Sequence, residues 1–171
     1  MPHRPERENI GREASIKGFA NEHIVVGLLM QKYHNVSLVD LPLSSYDVVL
    51  VRKIDGADDF IRIQVKTATN NVSFTGGSRG GQDRSFNSVE NISKAYTHTI
   101  DTSDVVCGVH KNHNESFDLF FIPTILIEKL GQKSISLSRI AELKNYEFLD
   151  NCKDREWVLK KGRELRLIRI S

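Results

Sequence analysis

The segment from Asp47 to Thr69, DVVLVRKIDGADDFIRIQVKTAT, constrains the fold more than any other part of the chain. Two runs rich in valine and isoleucine flank an Asp-Gly pair, and this dipeptide favours the two-residue turn of a β-hairpin. The sequence therefore predicts paired strands at 46–51 and 60–67. A fold for this chain has to build a sheet around this hairpin.

The patterns on both sides of the hairpin add helices and further strands. From Ala14 to Tyr33 the pattern predicts a helix with one face formed, at spacings of three and four, by Phe19, Glu22, Val26, Leu29 and Tyr33. Further strands are predicted at 36–41, 71–75, 104–109 and 117–123, and a strand-like run ends the chain at 164–170. Helices are predicted at 87–98, 124–131 and 138–144, the last capped by Ser138. This alternation predicts an α/β sheet with helices on its faces.

Length and charge indicate one domain. The chain has 171 residues, which suits a single domain with a sizeable core. We expect the polar residues 1–12 to be mobile. The formal net charge is +2, yet seven basic and three acidic residues give residues 153–171 a charge of +4. This basic C-terminal extension is either a solvated surface or a site for a polyanion.

The sequence favours a location in the reducing cytoplasm. The N-terminus, MPHRPEREN, has no apolar stretch typical of a signal peptide. No run of about 18 apolar residues is present, so we expect no membrane-spanning helix. Cys107 and Cys152 are too few and too far apart for a disulfide framework or a zinc knuckle.

Several polar residues interrupt the apolar pattern of the hairpin and of the helix before it. Side chains alternate along a strand, so Gln64 and Lys66 project together, and the hairpin can bring Asp47 beside them. Glu22 interrupts the apolar stripe of its helix and should face inward. An unpaired buried carboxylate is costly, and a metal ion or a lysine would relieve that cost. The alternative is a sheet with polar residues on its solvent face.

This arrangement resembles the PD-(D/E)XK nuclease superfamily, which includes junction resolvases and some homing endonucleases. The similar segments are GFANEHIVVGLLMQKY with its glutamate, SSYDVVLV with its aspartate, and IQVKTA, within about residues 14–69. The resemblance implies a restriction-endonuclease-like fold, a mixed β-sheet flanked by helices.

The resemblance also implies the roles of the site residues. Asp47 would bind a divalent cation, Gln64 and the backbone carbonyl of Val65 would supply further ligands, and Glu22 would bind the cation directly or through water. Lys66 would orient the attacking water or stabilise the transition state. Oxygen ligands and a phosphate substrate favour Mg²⁺, with Mn²⁺ as a possible substitute.

Two departures separate the chain from the family pattern. Position 64 carries glutamine where most members carry glutamate or aspartate, and no proline precedes Asp47 in SSYD. The first departure removes one negative charge from the expected metal site.

Candidate DNA contacts flank these residues. The loop GGSRGGQDRS (76–85) contains Arg79 and Arg84, which either meet DNA when the loop orders or belong to a surface connector. Ser44 and Ser45 precede Asp47 and either contact phosphate or end a turn. Thr67 follows Lys66 and completes the candidate DNA-binding set.

The function predicted from these features is a Mg²⁺-dependent endodeoxyribonuclease that acts in restriction, homing or junction resolution. One core cuts one strand, so cleavage of both strands would require a homodimer. The alternative is a non-catalytic nucleic-acid-binding or assembly protein on the same fold. A third hypothesis, an interaction domain unrelated to nucleic acid, predicts no DNA binding.

Overall fold

The computed structural model describes residues 4–41, 44–76 and 96–169, and this part of the chain has an α/β architecture. Its helices are α1 (Arg4–Met30), α2 (Thr124–Leu130), α3 (Glu147–Asp150) and α4 (Arg155–Glu164). Its strands are β1 (Val36–Leu38), β2 (Val48–Ile54), β3 (Ala57–Thr67), β4 (Asn71–Ser73), β5 (Thr75–Gly76), β6 (Tyr96–Thr97), β7 (Val105–Lys111), β8 (Phe117–Pro123) and β9 (Ser134–Ser136). Short 3-10 turns cover Leu137–Arg139 and Ala141–Lys144.

The main sheet has five strands in the order β1-β2-β3-β7-β8. Its β3–β7 pair is parallel, and its other pairs are antiparallel. The sheet is therefore mixed, as the resemblance implies. Along β3 the residues Ile61, Ile63 and Val65 are buried, whereas the residues between them are partly exposed. This alternation confirms the predicted orientation of Gln64 and Lys66.

The predicted hairpin is confirmed, and its turn has the expected chemistry. Asp55 and Gly56 connect β2 to β3 with φ values of 51° and 83°. Two successive positive φ values are typical of the type I′ turn, whose twist matches that of the paired strands. Both strands extend three residues further towards the turn than the alternation predicts, reaching Ile54 and starting at Ala57.

Helix α1 begins at Arg4, ten residues before the predicted start, and its buried face differs from the predicted one. Val25 and Leu29 are fully buried and Asn21 is 8% exposed, whereas Phe19 is 63% exposed. The predicted face is therefore wrong at its N-terminal end. Phe19 packs instead on the side chain of His23, with the ring centroids 4.4 Å apart.

Two small sheets follow the hairpin. Strand β4 pairs with β9, and β5 pairs with β6, so Gly76 lies opposite Tyr96. The predicted helix at 87–98 lies mainly outside the described residues, and its last part is wrong because Tyr96 and Thr97 form a strand. The predicted helix at 138–144 is replaced by 3-10 turns, and Ser138 does not cap them.

The C-terminal segment belongs to the core. Helix α4 begins after Asp154, whose side chain accepts a hydrogen bond from Trp157 N. Gly162 packs so closely on α2 that a Cβ there would lie 2.8 Å from Leu126 Cδ1. The strand predicted at 164–170 is wrong for its described residues, because α4 ends at Glu164 and turns follow it. In the described part of the chain, no helix has the length and apolarity required to span a membrane.

Candidate active site

Asp47 is fixed at the base of the hairpin because its backbone N–H donates a hydrogen bond and its carboxylate accepts two. The β2–β3 register pairs Val48 with Ile63, so Asp47 lies beside Gln64. Asp47 N donates to Ile63 O at 3.0 Å. Asp47 Oδ2 accepts from Val65 N at 2.8 Å and from Gln64 Nε2 at 2.5 Å. The carboxylate is therefore held in one orientation against β3.

The Gln64 amide lies between the two oxygens expected to bind metal. Its Nε2 also donates to Val65 O at 3.2 Å, so it contacts both the Asp47 carboxylate and the Val65 carbonyl. A hydrogen-bond donor thus occupies the position between two acceptors that a cation would also favour. Rotation of the amide by half a turn would present Oε1 instead of Nε2 to the same position.

Lys66 projects from β3 on the same side as Gln64 and is partly buried. Burial lowers the pKa of Lys66, and the nearby Asp47 carboxylate partly opposes this shift. Among the described residues, no carboxylate forms an ion pair with Lys66 Nζ and no group forms a hydrogen bond with it. As far as residues 4–41, 44–76 and 96–169 are concerned, its three N–H groups are therefore available to a ligand on this side of the sheet.

Glu22 approaches the same group from α1. Burial, and next the charge of Asp47, raise the pKa of Glu22 to about 7, while His23 opposes the shift. Burial also raises the pKa of Asp47, against hydrogen bonds from Val65 and Gln64 and the charge of Lys66. The structure thus brings Glu22, Asp47, Gln64 and Lys66 into one electrostatically connected cluster.

Tyr96 and His98 border this cluster, and the sequence analysis missed them. His98 is 1% exposed, and burial followed by the charge of Lys66 lowers its pKa to about 4. Its Nδ1 lies 3.2 Å from Thr102 Oγ1, whereas its Nε2 has no hydrogen-bond partner among the described residues. The ring of Tyr96 lies edge-on, 5.2 Å away, and burial followed by Asp47 raises its pKa. Their spacing of two residues, typical of a strand, was the available signal.

The candidate DNA-binding hydroxyls differ in what they can offer a phosphate. Ser44 Oγ donates to Tyr46 O and Ser45 Oγ donates to Thr102 O, each at 2.6 Å, so both protons are engaged in holding the loop before Asp47. Thr67 Oγ1 accepts from Asn21 Nδ2 at 2.7 Å, and its own proton has no acceptor within the described part of the chain. Arg79 and Arg84 lie outside the described residues.

Arg62 shares the side of β3 that carries Gln64 and Lys66, but it has a structural role. Its guanidinium binds both carboxylate oxygens of Asp104 at 2.9 and 3.2 Å and donates to the carbonyls of Ile100 and Asp101. Arg62 N also donates to Asp104 Oδ2 at 2.8 Å. The pair fixes the start of β7 against β3 and leaves Lys66 as the cation directed at Asp47.

The donor set suits a hard divalent cation with water completing its coordination. In the described part of the chain, no three His, Cys, Asp or Glu side chains come close enough together to hold a metal by themselves. The oxygens gathered here are those of Asp47 and Glu22, the Val65 carbonyl and, after rotation of its amide, Gln64 Oε1. Mg²⁺ is commonly held by one or two carboxylates together with waters and substrate phosphates. Burial, and next the charge of Asp47, raise the pKa of Glu22 to about 7, so a bound cation would stabilise its ionised form.

Comparison of the chain with protein-family models, with curated proteins and with solved structures gives no significant match. The geometry of the cluster is therefore the basis for any functional assignment.

Proposed function

We propose that the protein is a metal-dependent endodeoxyribonuclease with a restriction-endonuclease-like fold of the PD-(D/E)XK type. The observation that carries this proposal is the position of Asp47. Its carboxylate is hydrogen-bonded to Gln64 and is electrostatically coupled to both Glu22 and Lys66. Two acids, an amide and a lysine around one point form a combination suited to phosphodiester hydrolysis.

The arrangement of the main elements is compatible with this proposal. A helix that carries Glu22 precedes the hairpin that carries Asp47 and Lys66, and a parallel strand, β7, lies next to β3. The hairpin supplies the reactive groups on adjacent backbone segments, so the sheet holds their spacing rigid. Rigid placement favours catalysis because less reorganisation is needed in the transition state.

Lys66 has the properties of the residue that acts on the phosphate. Because it is partly buried, its charge is less screened than that of a surface lysine. Its N–H groups would bind a non-bridging phosphate oxygen or hold the attacking water, and its charge would stabilise the pentavalent transition state. A bound Mg²⁺ or Mn²⁺ would supply charge neutralisation and a more acidic water.

Asp47, Glu22 and the Val65 carbonyl would hold the ion, and Gln64 would turn its Oε1 towards it. The hydrogen bond from Val65 N to Asp47 Oδ2 keeps the carboxylate in place throughout. The two carboxylates carry less negative charge than a site with a third acid at position 64. We therefore expect the metal to bind weakly in the absence of DNA.

DNA is the proposed partner, and a homodimer is the proposed assembly. Each chain contributes one cluster around Asp47, and one cluster cuts one strand. Cleavage of both strands of a duplex requires two clusters, and two-fold symmetry is the usual way to present them.

A non-catalytic DNA-binding protein is the second candidate, and one observation favours it. The Gln64 amide already bridges Asp47 Oδ2 and Val65 O, so the two oxygens are satisfied without a cation. A protein that has lost catalysis could retain a cluster in which hydrogen bonds take the place of the metal.

Nicking of supercoiled plasmid in Mg²⁺, in Mn²⁺ and in EDTA tests the proposal. We expect cleavage with either metal and none in EDTA, and we expect Asp47→Asn and Lys66→Met to abolish it. Asp58→Asn is the matched control, because Asp58 lies on the same hairpin and pairs with Lys53 away from the cluster. Wild-type protein that binds the plasmid but never nicks it would instead support the non-catalytic candidate. Undiminished nicking by either site variant would refute the assignment of the site.

A further inference from the structure

A second feature of the structure is a basic cavity of about 890 Å³ between the C-terminal ends of α2 and α4. Ten residues line it, and half of them are basic: Lys129, Arg139, Arg163, Arg166 and Arg169. Within the described chain, no acidic residue contributes to its wall. Three of its cations, Arg163, Arg166 and Arg169, belong to the C-terminal segment whose positive charge is evident in the sequence.

The cations of the basic cavity are not neutralised by the protein. All five side chains are exposed, and none forms an ion pair with a carboxylate among residues 4–41, 44–76 and 96–169. Lys161, on the same helix as Arg163, does pair with Glu164 at 3.0 Å. Glu164, the acid in the last turn of α4, is thus engaged outside the cavity, and the like charges inside repel one another.

Arg166 occupies a backbone position that ordinarily selects glycine. Its φ is 55°, and it follows the end of α4, where Arg166 N donates to Arg163 O and Leu167 N donates to Gly162 O. These two bonds form a Schellman motif, whose left-handed residue is most often glycine because a Cβ is strained there. An arginine at this position is costly for the fold, which points to a use for its side chain.

Helix ends explain only part of the basic cluster. Lys129 and Arg163 lie in the last turns of α2 and α4, where cations interact favourably with the unpaired carbonyls. Arg166 and Arg169 lie beyond α4, and Arg139 lies in a three-residue turn. Their convergence with the two helix-terminal cations is not required by helix stability.

We infer that the basic cavity binds phosphate groups of DNA, as a second contact separate from the cluster around Asp47. Guanidinium groups bind phosphate oxygens through two parallel N–H donors, and four arginines provide this geometry several times over. The phosphate chemistry is independent of catalysis. The identification of the phosphate-bearing ligand as DNA rests on the proposed function.

A continuous run of backbone hydrogen bonds connects the two sites. Phe74 N donates to Lys133 O at 2.8 Å, and Lys133 follows Gln132 of the cavity wall. Phe74 O in turn accepts from His98 N at 2.8 Å, and His98 lies beside Lys66. Backbone hydrogen bonds at Phe74 thus join the segment next to the cavity wall to the segment beside Lys66, and we expect one DNA molecule to contact both sites.

Binding measured in EDTA, where no cleavage occurs, tests this inference separately from the proposed function. We would follow a fluorescein-labelled DNA duplex by anisotropy over a series of salt concentrations. The variant is Arg163→Ala/Arg166→Gly, and the matched control is Lys160→Ala, an exposed cation of α4 outside the cavity. We expect the variant to bind DNA more weakly. The slope of the logarithm of the binding constant against the logarithm of the salt concentration should become less steep by about two, since each lost phosphate contact lowers the steepness by about one. We expect the control slope to stay at the wild-type value.

A fold defect is excluded by the choice of Arg166→Gly. Because glycine suits the left-handed conformation, the urea midpoint of this single variant should be unchanged or higher while its DNA affinity falls. Equal slopes for the double variant and Lys160→Ala would overturn the inference. Calorimetric binding of inorganic tripolyphosphate that is lost in the double variant, with an unchanged DNA slope, would overturn the assignment to DNA in favour of a free polyphosphate.

Discussion

Gln64 donates its amide N–H to Asp47 Oδ2 at 2.5 Å, so the residue that departs from the nuclease pattern binds directly to the central acid. A glutamate at this position could not make this bond while ionised, because it has no N–H to donate. The glutamine thus allows the cluster to form without a metal.

Gln64→Glu should make the protein more dependent on Mg²⁺. The substitution removes the donor to Asp47 and places a second carboxylate beside it, so we expect the metal-free variant to lose about 1–3 kcal/mol of stability. The added charge should also tighten Mg²⁺ binding about tenfold, equivalent to about 1.4 kcal/mol. Calorimetric Mg²⁺ titration and urea unfolding with and without Mg²⁺ measure the two effects.

Gln64→Leu is the control for this substitution, because it removes the same donor without adding charge. This variant should be less stable than the wild type in EDTA, and Mg²⁺ should stabilise it no more than it stabilises the wild type. Equal Mg²⁺ affinities for wild type and Gln64→Glu would show that side chain 64 does not reach the ion.

Glu22 should make the stability of the metal-free protein fall with rising pH. Its pKa is raised from 4.5 to about 7, chiefly by burial and secondly by Asp47, so the folded state holds more protons than the unfolded chain between these values. The free energy of unfolding therefore decreases as pH rises through this window, and the penalty persists above it. Urea unfolding in EDTA at about pH 5 and about pH 8 should show a smaller decrease for Glu22→Gln.

The exposed Glu142 provides the comparison, since Glu142→Gln should keep the wild-type pH dependence. A Glu22→Gln protein with the full wild-type decrease would mean that the Glu22 carboxyl titrates normally and lies away from Asp47.

Arg62 should contribute more than Lys66 to the stability of the protein. Arg62→Met leaves the Asp104 carboxylate, whose side chain is 10% exposed, without its cation, and we expect a loss of roughly 2–3 kcal/mol. Lys66→Met removes a charge that burial opposes, and we expect a change smaller than about 1 kcal/mol. Urea unfolding of both variants measures the two losses of stability. A larger loss for Lys66→Met than for Arg62→Met would contradict the structural role assigned to Arg62.

Gly108 should tolerate no larger residue unless its neighbour shrinks. It pairs with Lys66 across the parallel strands, and a Cβ there would lie 2.5 Å from Val72 Cγ2. We expect Gly108→Ala to cost about 1–3 kcal/mol through overpacking. Gly108→Ala/Val72→Ala should cost less than the sum of the two single variants in a double-mutant cycle. Additive costs would show that β4 does not press on β7 at this point.

The hairpin and the strands β7 and β8 could be predicted because their signals are local. The Asp-Gly pair sets the turn, and alternation of Ile61, Ile63 and Val65 with polar residues sets the face. The face of α1 could not be predicted from spacing alone, because Phe19 fits an apolar stripe by sequence and is nevertheless 63% exposed. Helix α4 was missed because Gly162 resembles a helix breaker, whereas its missing side chain is what admits Leu126.

The candidate site could be predicted only in part. Asp47, Gln64 and Lys66 were found because one hairpin brings them together. His98 was missed because its position beside Lys66 depends on backbone pairing with Phe74, 24 residues earlier, whereas its spacing from Tyr96 indicates only a strand. The engagement of the Ser44 and Ser45 protons likewise depends on contacts seen only in the folded chain, such as that between Ser45 and Thr102 O.

The connectivity of the sheet also sets an order in which the site is completed during folding. The hairpin of β2 and β3 closes over a two-residue turn, whereas β7 must join β3 across the connection formed by residues 68–104. Short closures cost less chain entropy and occur sooner, so Asp47, Gln64 and Lys66 come together first. The burial that shifts the pKa values of Lys66 and Glu22 comes only when the later elements dock. A nascent chain would thus bring Asp47, Gln64 and Lys66 together before the later elements dock around them.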